Sequence, residues 1–498
     1  MSQFVDDAHP QPVPIATETR TLDRGLVAGI AWTAIARWSS QVLSWASLLI
    51  IARLLSPSDF GLLGMATLYL GLIQTFSEFG LGSAVVTLRD LTGQQVDQIN
   101  SVSVLSGFLG FALSLAAAVP LARFFRSPQL SAVVSAMGVG FVISGFRTVP
   151  YSLLQKELRF KLLSAMDAAQ AAAQALGSLA LALLGFKYWA LVLGNLLGTA
   201  VATGLTVACR PRGFASPRLE SIRHALRFSW RILVSRLGWY GYSNADFLVA
   251  GRVLGAGPLG AYTFAWNLAT LPVEKVTSLV MRVTPAFFSA VQKEHAALRR
   301  YLRTLTESLA LVTFPATIGL GIVAPEFVHL ALGKKWESVI APLELLALYA
   351  SIRSIATLPA QVIIVVGGSR FGMWNSVQAV ILMPIAFYVG SHWGTVGIAW
   401  GWIVGYPFIL APLYWAVFRR IHMPIAEYWG ALRPPLHGCV IMSIMILVLK
   451  WSLPAAWPLY FRFGLEVATG AAAYLLVLWT SHRDRARAFV AFAKSVRG

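Results

Sequence analysis

The sequence predicts an all-α polytopic membrane protein of about fourteen transmembrane helices, and three observations carry that prediction. Of its 498 residues 57% are hydrophobic and only 12% are charged, about half the charged share of a soluble globular chain. Apolar stretches long enough to cross about 30 Å of hydrocarbon recur along nearly the whole chain. The basic residues fall mainly in alternate loops, which is how membrane proteins hold cations on one side of a bilayer. Together these exclude a cytosolic enzyme, a secreted disulfide scaffold and a disordered regulator. The net charge of +19 has the sign of a nucleic-acid binder, but the loop distribution accounts for it and no nucleic-acid partner is expected. Cys209 and Cys439 form no disulfide framework and no CxxC motif, and read as small hydrophobes.

Residues 1–24 are polar, with Pro10, Pro12 and Pro14, and lack the basic and apolar regions of a cleavable signal. They read as a disordered cytoplasmic tail. The spans follow at 26–52, 61–86, 98–121, 129–147, 162–184, 187–208, 228–251, 259–282, 304–322, 339–366, 371–391, 394–418, 434–452 and 459–480. Grouped, they predict an N-lobe over 25–208 (spans one to six), a cytoplasmic inter-lobe loop over 209–227, a C-lobe over 228–418 (spans seven to twelve), and spans thirteen and fourteen within 434–480. Lys and Arg number 26 in the tails and even-numbered loops against 9 in the odd ones, which places both termini in the cytoplasm. The tail 481–498 alternates Arg with Phe and Val and reads as an interfacial amphipathic helix.

An internal repeat emerges when the chain is shifted by 199 residues. Arg37 then falls on Arg236, Arg53 on Arg252, Leu55 on Leu254 and Gly61 on Gly260. Span one matches span seven in the same direction, so the halves are parallel repeats about an axis along the membrane normal. That arrangement is common in alternating-access transporters, with substrate held between the repeats.

Ionisable residues inside spans are the candidate functional groups, because each costs about 2.5–3.5 kcal/mol at mid-helix. Of the cations within spans, Arg37, Arg231, Arg236, Lys275 and Arg353 are the candidates; facing lipid these five would cost roughly 12–17 kcal/mol together. Arg231 is close enough to an interface to snorkel. Steps of three and four put Arg37, Ser40, Gln41, Ser44 and Ser47 on one face of span one. They do the same for Thr67, Gly71, Gln74 and Glu78 on span two, and for Asn267, Thr270, Glu274 and Thr277 on span eight. Span seven offers Arg236, Tyr240 and Ser243, with Asp246 nearly in line. Two readings follow: static salt bridges Arg37–Glu78 and Arg236–Glu274, or guanidiniums that bind an anionic headgroup in a cavity.

The second reading makes Arg37, Arg236, Gln41, Tyr240, Asn267, Lys275 and Arg353 the substrate-binding candidates. Glu78, Asp246 and Glu274 are then the ion-coupling or gating candidates, able to exchange an Arg partner for H⁺ or Na⁺. Lys275 is expected to pair with Asp246, Arg353 and Glu344 to share a cavity, and Glu466 to have no role. Most of the 17 Trp are expected in interfacial belts. No phosphate-binding loop, metal-ligand cluster or nucleophile elbow occurs in the sequence, so no ATP, cofactor, metal or catalytic residue is expected.

Several segments in this order resemble Wzx-type polysaccharide flippases. They are Ala52–Gly61, Leu153-Leu154-Gln155-Lys156-Glu157-Leu158-Arg159-Phe160-Lys161, Leu254-Gly255-Ala256-Gly257, Met281-Arg282-Val283-Thr284-Pro285-Ala286-Phe287 and Gly333-Lys334-Lys335-Trp336-Glu337-Ser338. The likeness is to the colanic-acid-exporter branch of the polysaccharide transport family, in the multidrug/oligosaccharidyl-lipid/polysaccharide exporter superfamily, over roughly 22–480. The resemblance implies two six-helix lobes around a central cavity, with two further helices, in a bacterial inner membrane. It implies alternating-access, gradient-driven transfer of an undecaprenyl-diphosphate-linked oligosaccharide from the cytoplasmic to the periplasmic leaflet. A polysaccharide polymerase and glycosyltransferases would be further partners beside the membrane lipids. Such relatives commonly have a cationic lumen, which Arg37 and Arg236 fit; here the carboxylates Glu78, Asp246, Glu274, Glu344 and Glu466, also within spans, equal those five cations in number. Two other functions fit the composition: a drug–ion antiporter of the same superfamily, and an integral polysaccharide polymerase or ligase.

Overall fold

The computed structural model describes residues 46–78, 81–88, 91–217, 240–241, 243–454 and 456–485. Among them the chain is a bundle of α-helices without strands. In order these are α1 (Ala46–Leu54), α2 (Pro57–Glu78), α3 (Leu81–Thr87), α4 (Gly93–Phe124), α5 (Gln129–Lys156), α6 (Phe160–Leu183) and α7 (Tyr188–Cys209). Then come α8 (Ala245–Val249), α9 (Ala256–Ala290), α10 (His295–Ile322), α11 (Ala324–Ala331), α12 (Ile340–Val365), α13 (Ser369–Gly390), α14 (Gly394–Ile421), α15 (Ile425–Ser452) and α16 (Leu459–Ser481). Among the described residues, eight helical stretches are long and apolar enough to cross a membrane; Phe371–Ile421, one of them, holds both α13 and α14. The bent pair Ala46–Leu54 and Pro57–Gln74, turning through 117°, makes a ninth if taken as one span.

Local chemistry explains where the helices start and why they run on. Thr92 caps α4 through a reciprocal pair: its Oγ1 accepts from the Gln95 amide at 3.3 Å, and Gln95 Oε1 accepts from the Thr92 amide at 2.9 Å. At the α1–α2 turn the Ser56 amide donates to Asp59 Oδ2 at 2.9 Å, placing a carboxylate in the first turn of α2. Several helices outrun their apolar spans. α5 continues to Lys156 rather than stopping near 147, and α15 begins at Ile425 rather than 434, passing through Pro434 and Pro435. Hydropathy marks the part in hydrocarbon, whereas helical hydrogen bonding persists into the polar flanks. The second expected span, 61–86, falls on α2 and α3, with residues 79–80 between them outside the described residues.

Two sets of helices pack among themselves. In the first, α4 lies on α5, α6 on α7, and α2 on α5. In the second, α10 packs on α12 and α15, α13 on α14, and α15 on α16. Small residues make the close contacts, as expected where lipid removes the usual apolar driving force. Between α4 and α5 a Cβ on Gly145 would sit 3.0 Å from the Ser103 carbonyl oxygen, and Ser103 Oγ donates to the Gly145 carbonyl at 3.0 Å. Outward faces are apolar: Leu105, Leu109 and Leu113 on α4, and Trp374, Ile381 and Ile385 on α13, are exposed. That is the surface of a protein solvated by lipid.

The buried core is continuous between the two sets at one end and separate elsewhere. The largest cluster joins Leu62, Met65 and Ala66 of α2 to Leu259, Ala261 and Ala265 of α9, with Trp336 among them. A second cluster is confined to the second set, and a third, around Leu81, Ile99 and Val149, to the first.

Candidate functional site

The sets meet where α2 and α9 cross near their first turns. A Cβ on Gly61 would overlap the Ala256 carbonyl, and a Cβ on Gly260 would overlap the Pro57 carbonyl. Both contacts obey the 199-residue repeat, since Pro57 corresponds to Ala256 and Gly61 to Gly260. The pseudo-twofold axis therefore runs through this crossing. Glycine is required at both positions because backbone touches backbone.

Cross-set clasps surround that pivot. Arg53 Nε donates to the Ala331 carbonyl at 2.8 Å, and its Nη2 donates to Leu330. Its repeat mate Arg252 lies over the Phe124 ring at 5.2 Å, at the end of α4. Each repeat thus reaches across to the other set. Trp336, fully buried, donates from Nε1 to the Ala52 carbonyl at 2.7 Å and packs against Phe60 and Phe264 at 5.3 and 4.7 Å. Lys335 Nζ donates to the Arg53 carbonyl at 2.6 Å. These contacts seal the crossing end of the molecule.

Below the seal, the second set holds a buried polar site. Asp246 is 0% exposed, on α8 just before the π-helical turn Ala250–Leu254. Its Oδ2 accepts from the Tyr262 hydroxyl at 2.9 Å and from Trp402 Nε1 at 3.0 Å; its Oδ1 has no hydrogen-bond partner among the described residues. Trp402 stacks on Tyr349 at 4.7 Å, and Trp266 lies 5.4 Å from Trp402 and 5.8 Å from Tyr349. The Arg353 guanidinium lies 5.3 Å from the Trp266 ring, with Nη1 buried and without a hydrogen-bond partner among the described residues. A carboxylate with one free oxygen and a cation with one free nitrogen thus border the same aromatic cluster. Removed from water, such groups exert their charge strongly on anything that approaches.

The expected site residues are distributed as follows. Arg37, Gln41, Arg231 and Arg236, and with them both expected Arg–Glu pairs, lie outside the described residues. Glu78 is the last residue of α2. Tyr240 donates from its hydroxyl to the Leu68 carbonyl at 2.7 Å, lying against Gly71 and so bridging the two sets. On α9, Asn267, Glu274 and Lys275 are exposed.

Four expectations are corrected. Asp246 pairs with Tyr262 and Trp402, not with Lys275. Glu344 and Arg353 do not share a cavity: nine residues of helix make about two and a half turns and end on the opposite face, so Arg353 meets Trp266 while Glu344 lines a groove with Lys450. Glu466 is fully buried, 3.8 Å from Lys450, whose Nζ also binds Glu326 at 2.6 Å. The polar stripe of span eight splits, because Thr270 and Thr277 are buried and donate to their own helix at Trp266 and Val273. Trp336 and Trp402 lie in the core, while Trp374, Trp393, Trp400 and Trp451 are exposed. Sequence reasoning also missed Arg147, inside α5, which binds Asp167 at 2.9 Å and Gln170 at 2.7 Å. A signal existed: Ser144, Arg147, Thr148, Tyr151, Ser152 and Gln155 recur at helical steps.

Residues 50–341, more than half of the chain, match the family model described as polysaccharide biosynthesis protein. The chain belongs to that family. As a member, it is 24% identical over 444 residues to the lipopolysaccharide biosynthesis protein WzxC of Escherichia coli, covering 86% of this chain and 89% of the relative. It is 24% identical over 478 residues to the succinoglycan biosynthesis transport protein ExoT of Rhizobium meliloti, covering 94% and 95%. Among solved structures it superposes on the lipid II flippase MurJ in an inward closed conformation, with a TM-score of 0.71 at 14% identity, covering 91% of this chain and 99% of the other. The family member is thus a multi-pass membrane protein of that fold, and the sealed crossing end is one face of it.

Proposed function

We propose that the protein is a flippase that moves an undecaprenyl-diphosphate-linked exopolysaccharide unit from the cytoplasmic to the periplasmic leaflet of the bacterial inner membrane by alternating access. Family membership supports the substrate class, together with the transport role in the name of the succinoglycan relative. The observation that carries the mechanism is the repeat-symmetric crossing of α2 and α9 at Gly61 and Gly260. Two bodies joined backbone to backbone on their symmetry axis can rock about that point, which is what parallel-repeat transporters do. In this reading the bodies are residues 25–208 and 228–418, the crossing end faces the periplasm, and both termini are cytoplasmic.

Arg37 and Arg236 contact the diphosphate or acidic sugars, with Gln41, Tyr240, Asn267, Lys275 and Arg353 along the path. Glu78, Asp246 and Glu274 couple movement to an H⁺ or Na⁺ gradient; Asp246 fits because its free Oδ1 is buried beside the moving crossing. The experiment is the leaflet in which diphosphate-linked oligosaccharide accumulates in a deletion strain, read with a membrane-impermeant sugar-modifying enzyme on spheroplasts. Accumulation on the cytoplasmic face is expected. Accumulation on the periplasmic face, or none, would sink the proposal.

A further inference from the structure

A second polar cavity lies in the first helical set, at the end opposite the crossing. It has a volume of about 530 Å³ and lies between α2, α3, α5 and α6, with Gln74, Ser83, Thr87, Arg147, Tyr151 and Asp167 on its wall. That volume falls within the ~300–1,000 Å³ of small-molecule sites. Gln74 stands one helical turn beyond Gly71, where Tyr240 of the other set docks. The cavity therefore adjoins the seam between the sets.

Its charge decides what it can hold. Arg147 is committed at both Nη atoms: Nη2 binds Asp167 Oδ1 at 2.9 Å, Nη1 binds Gln170 Oε1 at 2.7 Å, and the guanidinium lies 4.7 Å over the Tyr151 ring, while Nε is buried without a partner among the described residues. Tyr151 Oη donates to Asp167 Oδ2 at 3.2 Å. With its cation neutralised at close range, this is a poor trap for diphosphate, which calls for donors and positive charge free to face it. What remains on the wall are hydroxyls, amides, one half-exposed carboxylate and an aromatic ring. Alternating donors and acceptors beside an aromatic face match a sugar, whose hydroxyls need both kinds of partner and whose C–H faces need an apolar one.

We propose that this cavity is a glycan subsite, which takes the uncharged sugar portion of the lipid-linked substrate before the rocking step, apart from the arginines expected to hold its diphosphate. This rests on the flippase reading and adds where the sugar is recognised.

The test compares two probes on the full-length protein in nanodiscs: the lipid-linked oligosaccharide extracted from a host strain lacking this protein, and undecaprenyl diphosphate alone. Three variants leave the Arg147–Asp167 pair intact: Ser83→Trp, which fills the cavity, the double variant Ser83→Ala/Thr87→Val, and Tyr151→Phe. The wild type should bind the glycosylated probe at least tenfold more tightly than the bare diphosphate. Ser83→Trp should abolish that preference and the other two should reduce it, with affinity for undecaprenyl diphosphate unchanged. If the preference persists in all three folded variants, or the wild type binds both probes equally, the glycan subsite is wrong while the flippase reading stands. A wild type that binds neither probe overturns both.

Discussion

Gly61→Ala tests the pivot most directly. The added Cβ would lie 2.5 Å from the Ala256 carbonyl carbon and 3.0 Å from its Cα, where carbon atoms normally rest about 3.5–4.0 Å apart. The helices must separate by about an ångström, because the obstacle is backbone and cannot rotate away. Overpacking of this kind costs typically ~1–3 kcal/mol. That cost falls on the state in which α2 and α9 cross closely and is relieved as rocking tilts the two bodies and loosens the crossing. Taking ~2–3 kcal/mol, the ratio of open to sealed molecules should rise roughly 30- to 150-fold. Ala265, fully buried at the seam, can report this as Ala265→Cys, in a background with Cys209 and Cys439 replaced. Labelling by a membrane-impermeant maleimide should accelerate by that factor in Gly61→Ala. It should not change in Gly204→Ala, where nothing lies within 4 Å of the new methyl group. Equal labelling in both variants would refute the idea that the glycine crossing holds the seal.

Trp336→Phe keeps the ring packing but loses the hydrogen bond to Ala52, so the same labelling assay should show a smaller opening, worth about 1 kcal/mol or some fivefold. Asp246→Ala strands the Tyr262 and Trp402 donors and should lower thermal stability by ~2–4 kcal/mol. Asp246→Asn retains an acceptor, so it should fold nearly normally yet fail to support polymer export; full export by this variant would remove Asp246 from coupling. Lys450→Met leaves Glu466 and Glu326 buried without their counter-charge and should cost about 3–5 kcal/mol. A thermal melt in detergent checks that loss, and adding Glu466→Gln should recover part of it.

The all-α, membrane-spanning class was legible because hydrocarbon imposes length and apolarity on every span, and both can be read residue by residue. Helix ends were less so: nothing in hydropathy tells that α5 carries Arg147 well inside it. The pivot was visible as a repeat, since Gly61 and Gly260 recur at one offset, but their mutual contact depends on how the halves face each other. Asp246 was legible as a costly in-span carboxylate. Its partners were not, because Tyr262 lies 16 and Trp402 156 residues away, and the periodicity of one helix carries no information about the neighbour it meets. The Glu344–Arg353 expectation, by contrast, conflicts with helical geometry alone. Lys450, Glu326 and Glu466 escaped notice as a group because three different helices supply them.

That same trio ties the last two helices to one side of the molecule. Lys450 of α15 grips Glu326 of α11 and the Ile322 carbonyl at the end of α10, while the Tyr474 hydroxyl of α16 donates to the Leu311 carbonyl of α10. The α15–α16 hairpin is therefore ballast for one half only, and the two sides of a symmetric fulcrum bear unequal loads. In a viscous bilayer the broader half is slower to tilt, so the first helical set should be the quicker arm of the lever. A lipid or small molecule wedged against the hairpin would brake the cycle from a surface far from the glycine pivot.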